Sequence, residues 1–165
     1  MNVRRFALPL AVLLLVGCAA EDTPEAPASA EQPFRPVANV QELMLTIVEP
    51  GAETYWDAVG WIVDADGTQE IRPETEEEWE AVRNAAFLIA ESGNLLMMEG
   101  RAVDDGPWIA MSQAMIDVGE RAIQAALARD EAGVFDVGAD VYATCTACHS
   151  AYALETLRPN FDPNE

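Results

Sequence analysis

Lysine is absent. All nine basic residues of this 165-residue chain are arginines, set against 29 acids for a formal net charge of −20. Such a surface repels nucleic acid, so no nucleic-acid partner is expected; the charge suits a solvated exterior or docking to a basic protein. Histidine is almost absent. The only one, His149, leaves no second imidazole for general-base work, and the carboxylates read as solvated helix faces, so the chain is not expected to be an enzyme. Cysteine is scarce too, at three residues, and this chain length closes one core without disulfides. A structural zinc site would need four ligands, and there is neither a second histidine nor a second cysteine pair to supply them. A long apolar run is missing as well: "FALPLAVLLLVG" at 6–17 is too short, and too closely followed by small residues, to span a membrane.

That run, preceded by Arg4 and Arg5, reads as an export signal over residues 1–17. It ends "LVGC", which resembles the lipobox of bacterial lipoproteins, in which the cysteine is lipidated and becomes the mature N-terminus. The resemblance implies a lipid anchor on Cys18 and a periplasmic location. Ala19, rather than an acid, follows the cysteine, which implies sorting to the outer membrane in a host with two membranes. Residues 18–36, rich in Ala, Pro and acids and without hydrophobic periodicity, read as a tether.

From residue 37 to about 158 the apolar spacing is helical throughout, with no competing strand pattern, and 159–165 form a tail. Val37, Val40, Met44 and Ile47 make a first seam, after which "EPG" at 49–51 is expected to end or kink the helix. A further helical stretch puts Tyr55, Val59 and Ile62 on one face, and "DADGTQEIRPET" reads as a loop. Thr75 with Glu78 makes a capping box for a second long helix with seam Trp79, Val82, Ala86, Ile89, Gly93 and Leu96. The third seam is Trp108, Met111, Met115, Val118, Ala122 and Ala125, and the fourth is Val134, Val137, Val141, Thr144, Cys148 and Ala151. Four seams with short connections predict an all-α, up-down four-helix bundle; a looser helical array is the rival, because Pro50 splits the first arm.

Cys145, Cys148 and His149, in "YATCTACHSAY", stand at i, i+3 and i+4 of the last helix and so project from one face. C-T-A-C-H has the spacing for covalent haem attachment: two thioether bonds hold the porphyrin edge and the adjacent histidine reaches the iron. A thioredoxin-like dithiol would be expected beside a strand–helix unit, and none is visible. One covalent haem c is therefore the expected cofactor.

Four helical seams with the pentapeptide on the last helix resemble the class II cytochromes c, the cytochrome c′ and cytochrome c556 group, over about residues 37–157. The resemblance implies a haem inside the bundle, His149 as proximal iron ligand, and a distal side facing the first helix, where Met44 is the candidate second ligand. Methionine there makes a six-coordinate electron carrier served by redox partner proteins; a non-ligand leaves a five-coordinate, gas-binding iron. Met44 is otherwise core filler, as methionines often are. Two features depart from the family's pattern. Ala153 and Leu154 stand where a basic residue often follows the histidine, and the first helix lacks the arginine found near the propionates, a role open to Arg83, Arg101 or Arg121. Members of the family are often homodimers, but the four seams leave no second apolar face. Of the four tryptophans, most are expected in the core and one or two along the haem.

Overall fold

The structure, a computed structural model, describes residues 34–153. The expected signal peptide, Cys18, most of the tether, Leu154 and the 159–165 tail lie outside the described residues. Within them the chain is mostly helical, with one small two-stranded sheet, so the all-α expectation holds in its coarse form.

The first arm opens at Asn39, whose side chain accepts from the Glu42 backbone N–H while the Glu42 carboxylate accepts from the Asn39 N–H, both at 2.9 Å. It runs without a break through helix α1 (Val40–Leu43), a π-helical turn (Met44–Val48) and helix α2 (Glu49–Trp56). Pro50 therefore neither ends the helix nor splits the arm. A proline lacks the N–H that the carbonyl of Thr46 would take, and its ring crowds that carbonyl; the wider turn just upstream relieves the conflict, with the Glu49 N–H reaching back to the Met44 carbonyl. The extra residue also shifts the seam. The buried side chains are Leu43, Val48, Ala52 and Tyr55, with Gly51 buried beside them, a five-residue step followed by ordinary helical ones, while Val40, Met44 and Ile47 are only half-buried and Val37 is exposed.

After Trp56 the helical expectation fails. Strands β1 (Gly60–Asp64) and β2 (Gly67–Ile71) pair antiparallel, Gly60 opposite Ile71 and Asp64 opposite Gly67. The turn is built locally: the Asp64 carboxylate accepts from the Asp66 N–H at 2.9 Å, and Gly67 takes φ 136°, a conformation that suits glycine. Ile62 is thus a strand residue and does not share a helical face with Tyr55 and Val59. The hairpin also leaves Trp61, Ile62 and Val63 exposed, an apolar surface that the four seams do not provide.

Helix α3 (Glu76–Leu96) starts at the expected capping box: the Glu78 N–H donates to Thr75 Oγ1 at 3.2 Å and the Thr75 N–H to the Glu78 carboxylate at 2.9 Å. All six of its seam residues are buried. In helix α4 (Pro107–Ala128) five of the six are, Met111 being half-buried. Helix α5 (Glu131–Tyr152) follows after a turn at Arg129, with the Asp130 side chain capping Gly133. α3 packs along α4, α4 along α5, and α2 against both α3 and α5. No helix among the described residues is long and apolar enough to cross a membrane.

Candidate functional site

Burial along α5 is one-sided in sequence. Val134, Gly138 and Val141 are buried, and nothing after Val141 is. Thr144, Cys145, Cys148 and His149 are all half-buried, with Cys145 packed against the core and Ala151 exposed. The pentapeptide therefore occupies the thinly packed end of the helix. The two thiols are free rather than bonded to one another. Burial pushes both above the ordinary thiol range, Cys145 further raised by the neighbouring Cys148 charge, so neither is an activated thiolate of the kind a redox dithiol uses.

The end of α5 is fixed by its last residue. The Tyr152 hydroxyl donates to the Asp104 carboxylate, and its ring meets Trp108 edge-on, centroids 5.0 Å apart. Asp104 also accepts from the Gly106 and Trp108 backbone N–H groups at 2.8 and 3.1 Å, and Trp108 Nε1 donates to the Leu96 carbonyl at 2.8 Å. The α3–α4 connection, the start of α4 and the end of α5 are thereby joined.

Arg101 brings the first arm to the same end. Its guanidinium donates to the carbonyls of Ala38 at 3.0 Å and Leu95 at 3.1 Å, and to Met98 Sδ at 3.3 Å. It is 7 % exposed and, among the described residues, forms no ion pair. Arg83 and Arg121 are committed elsewhere, to Glu80 at 2.9 Å and Asp140 at 2.6 Å.

The other end of the molecule sets the register between the first arm and α5. Trp56 Nε1 donates to the Gly138 carbonyl at 2.9 Å. From that crossing both helices run toward the α3–α4 connection. Met44 precedes Trp56 by twelve residues and His149 follows Gly138 by eleven, or about 18 and about 16 Å of helix. Counted from that bond, Met44 and His149 thus lie a similar number of residues along their helices. Of the other methionines, Met98 is engaged by Arg101 and Met115 is buried in the core.

Of the four tryptophans, Trp79 and Trp108 are buried, Trp56 is half-buried and Trp61 is exposed. Among the described residues no three His, Cys, Asp or Glu side chains come together as a metal-binding group. No protein-family model, no curated protein and no solved structure matches the chain. Sequence reasoning missed Asp104 and Tyr152, which share no motif and meet only through the fold.

Proposed function

We propose that this protein is an exported c-type cytochrome, lipid-anchored through Cys18, that holds one covalent haem on Cys145 and Cys148 and passes electrons between partner proteins. The observation that carries this reading is C-T-A-C-H on the half-buried end of α5, with Met44 a similar number of residues from the Trp56–Gly138 bond along the first arm. The donor set fits the group: two unpaired, protonated thiols one turn apart for thioether bonds, and an adjacent imidazole for the iron. When bound, the haem supplies the one-electron couple, and the chain's contribution is axial ligation, burial and nearby charge.

His149 is the proximal ligand in this reading and Met44 the distal one. Arg101 suits the haem carboxylates: it is a buried cation met only by neutral acceptors. On this reading α1–α2, α3, α4 and α5 make an up-down four-helix bundle of the cytochrome c′ kind, with the hairpin inserted between its first two arms. No catalytic group is assigned.

The experiment is expression of the full chain with haem maturation, followed by intact mass and optical spectra. A haem increment is expected, sharply reduced in Cys145→Ala and Cys148→Ala, with the iron's spin state altered in His149→Ala. A mature mass without haem overturns the proposal. Met44→Ala is expected to turn a low-spin spectrum high-spin, to admit carbon monoxide and to lower the reduction potential. An unmodified protein already high-spin and open to carbon monoxide makes it a five-coordinate gas binder instead.

A further inference from the structure

Apolar exposure gathers where the hairpin meets the first half of α5. Trp61 and Val63 alternate onto one face of β1 and are 59 % and 75 % exposed. The Trp61 ring meets Phe135 of α5 edge-on, centroids 5.5 Å apart, and Phe135 shares an open groove with Tyr142, seven residues further along the same helix face. Phe135 and Tyr142 are 50 % and 64 % exposed. Apolar side chains exposed singly are ordinary, but these four are continuous through the Trp61–Phe135 contact and the groove, and a continuous patch marks an interaction surface.

The hairpin points the same way. A two-stranded sheet is marginal in water unless something packs on it, and both strands are exposed over most of their length. Trp61 against Phe135 ties it to α5, and the rest of the Trp61–Val63 face is left uncovered.

Charge selects the occupant. Asp57 follows Trp56, Asp64 follows Val63, Asp136 follows Phe135, and Glu70 stands directly across from Trp61. Asp57, Asp64 and Asp136 form no ion pair among the described residues, while Arg72 is taken up by Glu70 and Glu74 and Arg121 by Asp140. The patch is therefore apolar at its centre and acidic around it. A second copy would set these carboxylates against their own kind, and an anionic bilayer would be repelled. The chain's own residues 18–36 are acidic as well, with Glu21, Asp22, Glu25 and Glu31 against Arg35 alone.

We propose that this face docks a protein whose contact surface has an apolar centre ringed by lysine or arginine. The centre covers Trp61, Val63, Phe135 and Tyr142, and the basic groups meet Asp57, Asp64, Glu70 and Asp136 at the rim, where they orient and speed the encounter. The surface uses no residue of the haem assignment, so it stands or falls apart from that reading.

The matured chain is titrated with three dye-labelled peptides of equal length, alternating Lys with Leu, Lys with Ser, and Glu with Leu, and binding is read by fluorescence anisotropy. The Lys–Leu peptide is expected to bind at least about tenfold more tightly than either of the others, and to weaken as salt is raised. Val63→Ser/Tyr142→Ser, both at exposed positions, is expected to lose the preference over the Lys–Ser peptide, and Asp57→Asn/Asp136→Asn to reduce the preference over the Glu–Leu peptide. Phe87→Ser/Val103→Ser changes exposed apolar positions on α3 and the α3–α4 connection and is expected to bind like the parent, with circular dichroism reporting the fold of every variant. The proposal is overturned if the parent chain binds none of the peptides or all three alike, if a folded Val63→Ser/Tyr142→Ser chain keeps the preference, or if Phe87→Ser/Val103→Ser loses it equally. Sedimentation of the parent as a dimer that Val63→Ser/Tyr142→Ser dissociates would make a second copy the occupant and overturn it too.

Discussion

Two glycines set how closely α3 and α4 approach. A Cβ on Gly119 would stand 2.6 Å from the backbone of Ala90, and one on Gly93 would stand 2.5 Å from the Ser112 carbonyl oxygen. Neither neighbour is the loose end of a side chain, so an added methyl must push the helices apart along seams that are otherwise filled. Gly93→Ala and Gly119→Ala are each expected to cost about 1–3 kcal/mol despite the better helix propensity of alanine. Ala114→Ser, on the exposed face of α4, is expected to change stability by less than about 0.5 kcal/mol. Urea unfolding of the three variants checks this. Tyr152 and Asp104 make a second residue-scale expectation. The shared hydrogen bond raises Tyr152 to about 12, while the same bond and two backbone donors lower Asp104. A raised tyrosine stabilises the fold fully below its unfolded value near 10 and loses that contribution as pH climbs through 12; a lowered aspartate contributes above its unfolded value and loses it in acid. Tyr55, raised by burial alone, acts in the same alkaline window. Thermal melts from pH 9 to 12 are therefore expected to fall less steeply in Tyr152→Phe than in the parent chain, and Asp104→Asn is expected to flatten the acid side.

At the scale of elements, the long helices were legible and the first arm was not. The steps of three and four in α3 and α4 coincide with burial because both helices lie in regular packing, where periodicity and exposure report the same thing. In the first arm the π turn adds a residue between Leu43 and Val48, so a period counted from Val40 selects the half-buried neighbours of the true seam. The hairpin was hidden for a different reason. Both strands are largely exposed, so they have no buried face to mark with alternation, and Trp61–Val63 reads as one more helical turn. Its signals were local instead: an Asp64 turn and a Gly67 that no helix interior needs. The link between Pro50 and the π turn can be tested by changing chain length. Deleting the exposed Leu45 would leave Leu43 and Val48 four apart, the spacing of a plain helix, but would return the Pro50 ring to the Thr46 carbonyl. The deletion alone is expected to destabilise, and the deletion combined with Pro50→Ala to recover at least the parent stability in urea. A deletion chain as stable as the parent without the second change would separate the proline from the turn.

Across the whole molecule, the proposed chemistry falls within five residues of sequence, and the fold adds what surrounds them. Cys145, Cys148 and His149, the residues of the proposed haem site, share a helix face by their spacing alone. Of the three arginine candidates, the proposal takes Arg101 because it is buried, whereas Arg83 and Arg121 pair with Glu80 and Asp140. The two ends of the molecule differ in balance: at one, Arg101, Asp104 and Tyr152 form polar ties around a single aromatic pair, Trp108 with Tyr152, and at the other Trp56, Trp61, Phe135 and Tyr142 make two aromatic pairs. The bare stretch of α5 after Val141 has a consequence for how the protein is made. With no fully buried residue beyond that point, the second half of the helix is held chiefly by its own backbone bonds and by the Tyr152 tie. In the haem-free chain its amides are expected to exchange with solvent through local opening, while those from Val134 to Val141 exchange only when the whole fold opens. Hydrogen exchange read by mass spectrometry on the Cys145→Ala/Cys148→Ala chain checks the gradient; uniform protection along α5 would contradict it. On the proposed reading, such a gradient lets the haem-attachment segment unwind for a maturation enzyme after the rest of the chain has folded, so cofactor loading need not precede folding.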